Sequence, residues 1–203
     1  MDGWRLWSKL GGCGIFLAAG AALLIAANPV MPRLWRAHAA DAAVGVPQPA
    51  RTPDIFFAPT WEPIVHEMLE LAQVATGDVV YDLGSGDGRI VIIAAQQYGA
   101  RGVGVEIDPR LVALSRQVAR DAQVEGRVQF VEGDLFTADI SPATVVTLYL
   151  SASLNRKLEP RLRRELAPGT RVVSHQFPVG EWKPDRTVRA ADGTELFLWR
   201  VGG

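Results

Sequence analysis

The stretch Tyr81-Asp82-Leu83-Gly84-Ser85-Gly86-Asp87-Gly88-Arg89-Ile90 decides how this chain is read. Val79 to Leu83 is a short apolar run of the kind that forms a buried strand. A glycine-rich turn follows at once, and the apolar spacing beyond it predicts a helix to about Tyr98. Strand, glycine turn and helix in that order put a ligand at the strand's carboxyl end. Gly84 and Gly86, with Ser85 between them, let the backbone take unusual dihedral angles and come close to that ligand. The spacing is G-x-G-x-G, not the G-x-G-x-x-G that seats a pyrophosphate. Asp82 and Asp87 would also repel a diphosphate.

Working outward, residues 61–73 place Ile64, Val65, Met68, Leu69 and Ala72 at helical spacing, with Thr60 as the expected N-cap and Pro63 in the first turn. Gly102 to Glu106 reads as a second strand, and Pro109 opens a helix to about Ala122. Strands are expected at 127–131, 143–150 and 170–174, and a helix, broken or offset at Pro160, at 152–167. Segments 186–190 and 194–201 form a hairpin around Asp192-Gly193. The alternation predicts an α/β fold: a Rossmann-like, doubly wound, mainly parallel sheet, closed by an antiparallel C-terminal hairpin.

Three acidic positions carry the chemistry. An acidic glycine loop suits a ligand with an ammonium group and a sulfonium, as S-adenosylmethionine has. Glu106 ends the second strand, 24 residues after Asp82, where an acidic side chain accepts hydrogen bonds from ribose hydroxyls. A surface charge at a strand end is the plainer alternative. Asp134, in Glu132-Gly133-Asp134, follows the third strand and is placed to accept from an adenine amino group, with Leu135 or Phe136 against the ring.

The series DLGSGDG, GVEID and VEGDLF resembles the class I S-adenosylmethionine methyltransferases. DIFFAPT, YDLGSGDGRIVIIAA, GVEIDPRLV and SHQFPVGEW resemble, more narrowly, the membrane-anchored protein-lysine methyltransferases. Mitochondrial members of that family modify an ATP synthase subunit or the adenine nucleotide translocase, and the non-SET histone lysine methyltransferases carry similar motifs. The resemblance covers roughly residues 54–184 and implies S-adenosylmethionine as cofactor and a protein lysine as acceptor. By that resemblance Phe57, Pro59 and Thr60 form a loop over the cofactor. A capped helix entry is the competing reading. Tyr149 and Ser151 end the fourth strand, the end that faces the methyl group, and either could contact the acceptor amine; Tyr149 could equally be core.

The remaining sequence bounds the picture. The formal net charge is −1, without the basic surplus of a protein that grips phosphates, so no nucleic acid partner is expected. His38, His66 and His175 show no metal-ligand spacing, so no metal is expected. The single cysteine, Cys13, excludes an intrachain disulfide. Residues 11–27 carry no charge, and extended to Met31 the run reaches about 20 residues, enough for a transmembrane helix. An uncleaved anchor over residues 1–36, an Ala/Pro linker over 37–53 and a catalytic domain over 54–203 are expected; a signal peptide cleaved after Ala39 and a buried core helix are the competing readings of the apolar run. Because the cofactor is cytosolic, the domain is expected on the cytoplasmic side of a single-pass membrane protein. The basic run from Arg156 to Arg164 reads as a solvated helix face, and Trp182 as either a lining or a packing residue. A small-molecule or lipid methyltransferase, or a cofactor-binding module without transfer activity, stays open as an alternative.

Overall fold

The computed structural model describes residues 57–202. The expected anchor and linker, and residues 54–56, lie outside the described residues. Among the described residues no helix is long and apolar enough to cross a membrane.

In chain order the elements are α1 (Glu62–Leu71), β1 (Val79–Leu83), α2 (Arg89–Gln97), β2 (Arg101–Glu106), α3 (Pro109–Asp121), β3 (Val128–Glu132), β4 (Val145–Leu148), α4 (Ala152–Glu165), β5 (Arg171–His175), β6 (Arg186–Arg189) and β7 (Glu195–Arg200). The strands form one sheet in the order β3-β2-β1-β4-β5-β7-β6. The first five strands pair in parallel, while β7 runs antiparallel to both β5 and β6. Of the two hairpin strands, β7 takes the inner place because Leu196, Phe197, Leu198 and Trp199 are all buried. The exposed, arginine-bearing β6 blunts the edge.

Each face of the sheet has its own core. Ile64, Met68 and Leu69 of α1, Ile90 to Ala95 of α2 and Val112 and Val118 of α3 bury one face. Leu154, Leu158 and Leu162 of α4 bury the other, against Leu83, Val146, Leu148 and Trp199. The fold is therefore a doubly wound, Rossmann-like sheet with three of these helices on one side and one on the other.

The structure corrects several local expectations. Thr60 does not cap α1. The helix begins after Trp61, which makes no side-chain cap bond, and Thr60 is turned inward, its carbonyl accepting from Arg89 Nη1 at 2.9 Å. Pro63 starts the helix instead, with its φ already set and no amide proton to satisfy. Helix α4 runs unbroken through Pro160. Pro160 and Arg156 are both exposed, so the carbonyl that loses its partner is on the wet side of the helix. Arg161 is not on a solvated face: it bonds the carbonyls of Leu135 and Ala138 and pairs with Glu165 at 2.7 Å. Trp182 packs on Trp199, which donates from Nε1 to the Trp182 carbonyl at 2.8 Å.

Gly88 is the tightest backbone constraint. It precedes α2 with φ 78°, and a Cβ there would stand 2.5 Å from Phe130 and 2.8 Å from Ser115. Gly88→Ala therefore combines left-handed strain with overpacking and should cost about 2–4 kcal/mol. Urea unfolding of the variant measures this; an unchanged midpoint would show that Phe130 can move aside freely.

Candidate active site

A cavity of about 610 Å³ opens at the carboxyl ends of β1, β2 and β4. This is where the strand order reverses, the usual ligand position in an open α/β sheet, and the volume suits a nucleoside-sized ligand. Every residue expected from the sequence to touch the cofactor or acceptor lines it, with one exception. Asp82, Gly84, Ser85, Gly86 and Asp87 come from β1 and its turn, Glu106 from β2, and Asp134 and Leu135 from the loop after β3. Tyr149 and Ser151 follow β4, and Phe57, Pro59 and Thr60 precede α1. The exception is Phe136, which packs against the second core instead.

The turn is fastened to β2. Gly84 and Ser85 donate to the Val105 carbonyl at 2.9 and 3.0 Å. Glu106 Oε2 accepts from the Gly86 amide at 2.9 Å, and Oε1 accepts from Ile107 and Asp108 at 2.8 and 2.9 Å. Glu106 is 8% exposed, so it is not the surface charge of the plainer reading. The Phe57 ring lies over Gly86, whose φ is 55°, and any Cβ at that position would collide with the ring. Only glycine allows this close approach.

Asp82 and Asp87 differ in their surroundings. The Asp82 carboxylate accepts from Thr147 Oγ1 at 2.7 Å and is fully buried. Burial pushes its pKa up to about 7, against the Thr147 bond and with help from the charges of Asp87 and Glu106. Asp87 is clamped by Arg89, with Nε to Oδ1 at 3.0 Å and Nη2 to Oδ2 at 2.5 Å. Through its bond to the Thr60 carbonyl, the same arginine ties the glycine turn to the segment that precedes α1. Asp134 accepts from the Phe136 amide at 2.9 Å, which shapes the loop beside Leu135. Ser151 caps α4 through the Leu154 amide at 3.4 Å.

A cationic nucleoside ligand fits this donor set. The cavity gathers carboxylates without a metal cage: among the described residues no group of three or more His, Cys, Asp or Glu could hold one. Ser85 Oγ is buried with no partner there, an unmet polar group on the cavity wall.

Sequence reading missed Arg89, Asp108, Arg110, Phe177 and His175. Arg110 pairs with Asp108 at 2.6 Å. The spacing Asp87-x-Arg89 and Asp108-x-Arg110 was the available signal for the two clamps. Phe177 lines the cavity, and His175 stacks on Tyr149. Nothing local in the sequence announces either.

The buried carboxylates yield two predictions. Glu106→Ala should weaken S-adenosylmethionine binding by about 10- to 100-fold, the range of a charged hydrogen bond; unchanged affinity by calorimetry would remove Glu106 from the cofactor site. Because the folded-state pKa of Asp82 lies above its unfolded value, its contribution to stability is full below about pH 4. It is lost as pH rises to about 7. Asp82→Asn should therefore melt higher than the native chain at pH 8, with the gap closing toward pH 4. Affinity of the native chain for the cationic cofactor should rise through pH 7, and Asp82→Asn should flatten that rise. Equal melting points at pH 8 would contradict the raised pKa.

Known proteins resemble this chain over most of the residues that build the cavity. A family model described as the ANTKMT methyltransferase domain matches residues 82–186. The chain is 42% identical over 154 residues to a protein-lysine N-methyltransferase of Saccharolobus islandicus, covering 74% of this chain and 96% of that protein. It is 39% identical over 132 residues to the mouse adenine nucleotide translocase lysine N-methyltransferase, covering 64% of this chain and 56% of that one. The chain thus spans little more than half the length of that mouse relative. A crystal structure from Salinibacter ruber, described as an RNA methyltransferase in complex with S-adenosyl-L-homocysteine, shares 58% identity at a TM-score of 0.69. It covers 71% of this chain and 94% of that one. With just over half of the chain matched by the family model and nearly the whole archaeal relative covered, this chain belongs to the ANTKMT methyltransferase domain family of S-adenosylmethionine-dependent methyltransferases.

Proposed function

We propose that this methyltransferase acts on the side-chain amine of a lysine in a protein. The observation that carries this reading is the charge of the cavity wall. Among the described residues its cations are Arg89 and Arg110, each paired with a neighbouring carboxylate, whereas Asp82 and Glu106 add negative charge. Such a site attracts a cationic chain and repels a polyphosphate. The lysine N-methyltransferases among the relatives support the same acceptor.

Bound there, S-adenosylmethionine would supply an activated methyl group. In this reading Glu106 takes the ribose hydroxyls and Asp134 the adenine amine, with Leu135 against the ring. Asp82 and the turn around Ser85 face the cationic end. Phe57, Pro59 and Thr60 cover the cavity and exclude water. Tyr149 lies on the acceptor side, after β4. In-line transfer requires alignment and a neutral amine. The amine can lose its proton to solvent, so no residue is assigned as a base.

A second reading, methylation of RNA, has the description of the Salinibacter ruber structure in its favour. The formal net charge of −1 and the paired arginines weigh against it. We also propose that residues 1–36 anchor the chain in a membrane, a reading supported by the uncharged run 11–27, with the domain on the cytoplasmic side where the cofactor is made.

Labelled S-adenosylmethionine added to host membrane and soluble fractions tests these readings, with Glu106→Ala as control. The expected result is a protein band that is lost in the control, resists ribonuclease and yields methyl-lysine on hydrolysis. Ribonuclease-sensitive label would establish the RNA reading, and label in the lipid extract a lipid acceptor. Cofactor binding with no transfer would indicate a binding module.

A further inference from the structure

We propose that His175 is a positioning residue for the acceptor: tethered to the C-terminal hairpin through Thr194, it holds the Tyr149 ring where an incoming alkylamine meets it. The proposal rests on the lysine reading above and deepens it.

Tyr149 is half-buried and lines the cavity. Its ring centroid lies 4.3 Å from that of His175, the planes tilted by 31°. His175 ends β5, is 3% exposed and is not itself on the cavity wall. It acts on the cavity through Tyr149.

The hydrogen bonds determine the state of the imidazole. Thr194 has one hydroxyl proton, and it goes to Asp192 Oδ1 at 2.5 Å. The Thr194 oxygen, 2.9 Å from His175 Nε2, must then accept from an Nε2–H. Asp192 Oδ2 stands 3.6 Å from the same nitrogen. In the neutral ring this leaves Nδ1 as a bare acceptor, buried and without a partner among the described residues. Burial lowers the pKa of His175, with the charges of Asp192 and Glu67 pulling the other way.

A histidine with an unmet buried nitrogen is a poor choice for packing alone, since a phenylalanine would fill the space without that cost. What imidazole adds is direction. The Nε2–H bond turns the ring toward the hairpin, and the stacked Tyr149 is held with it. An aromatic face so fixed takes an ammonium or methylated amine by cation–π attraction. Phe177, another aromatic on the cavity wall, hangs from the same strand end. Its amide donates to the His175 carbonyl at 2.8 Å, and its carbonyl accepts from Ser174 Oγ at 2.6 Å and Asn155 Nδ2 at 2.9 Å. His175 is thus joined to two of the aromatics on the wall, to Tyr149 by stacking and to Phe177 through the backbone.

The test uses the full chain with Thr194→Val, Thr194→Ser and His175→Phe. The acceptor is the host protein extract, and S-adenosyl-L-homocysteine is the calorimetric probe. Thr194→Val and His175→Phe should raise the apparent KM for acceptor by on the order of tenfold and shift the ratio of mono-, di- and trimethyl-lysine. Affinity for the probe should stay within about twofold, and Thr194→Ser should restore native kinetics. Native KM and product ratio in both damaging variants would overturn the proposal. So would probe affinity falling in step with activity, which would make His175 a support of the cofactor site. No methyl-lysine from the native chain would sink the lysine reading itself and this proposal with it.

Discussion

The carboxylate of Glu106 holds the site together. It accepts the amide of Gly86 from the turn after β1 and the amides of Ile107 and Asp108 from the turn after β2. With the Val105 carbonyl taking Gly84 and Ser85, it fixes two loops from neighbouring strands in one frame. A buried carboxylate is stable only where such donors meet it. Glu106 therefore has a structural role besides its proposed ribose contact, and the two roles share one side chain.

Clustered negative charge gives the site its internal strain. Asp82 is pushed toward protonation by burial and by its acidic neighbours, whereas Asp87 and Asp108 are met by arginines two residues on. The unmet part of this charge lies where a cation would bind. A cofactor carrying both a sulfonium and an ammonium, bound as proposed, would relieve the repulsion and so couple its binding to the protonation of Asp82.

Much of this was legible in the sequence, because the signals were local. The run from Tyr81 to Ile90 contains its strand, turn and helix within ten residues. Glu106 and Asp134 stand at strand ends that their own apolar runs announce. Errors arose where a distant partner overrode a local preference. Thr60 had the chemistry of a cap, yet Arg89 drew its carbonyl inward. Arg161 sat in a basic helical run, yet its guanidinium found the carbonyls of Leu135 and Ala138. The membrane anchor lies outside the described residues.

By itself, the sequence determined the fold class, the glycine turn and the acidic set around it, because periodicity and turn chemistry act over a few residues. The clamps on Asp87 and Asp108 are local pairs, but only the tertiary structure decided that Asp82 is left strained, since that depends on burial and on a partner from another strand. It alone also brought His175 of β5 against Tyr149 after β4, with Thr194 of the hairpin behind it. These residues are far apart in the chain and meet because β5 lies between β4 and β7 in the sheet.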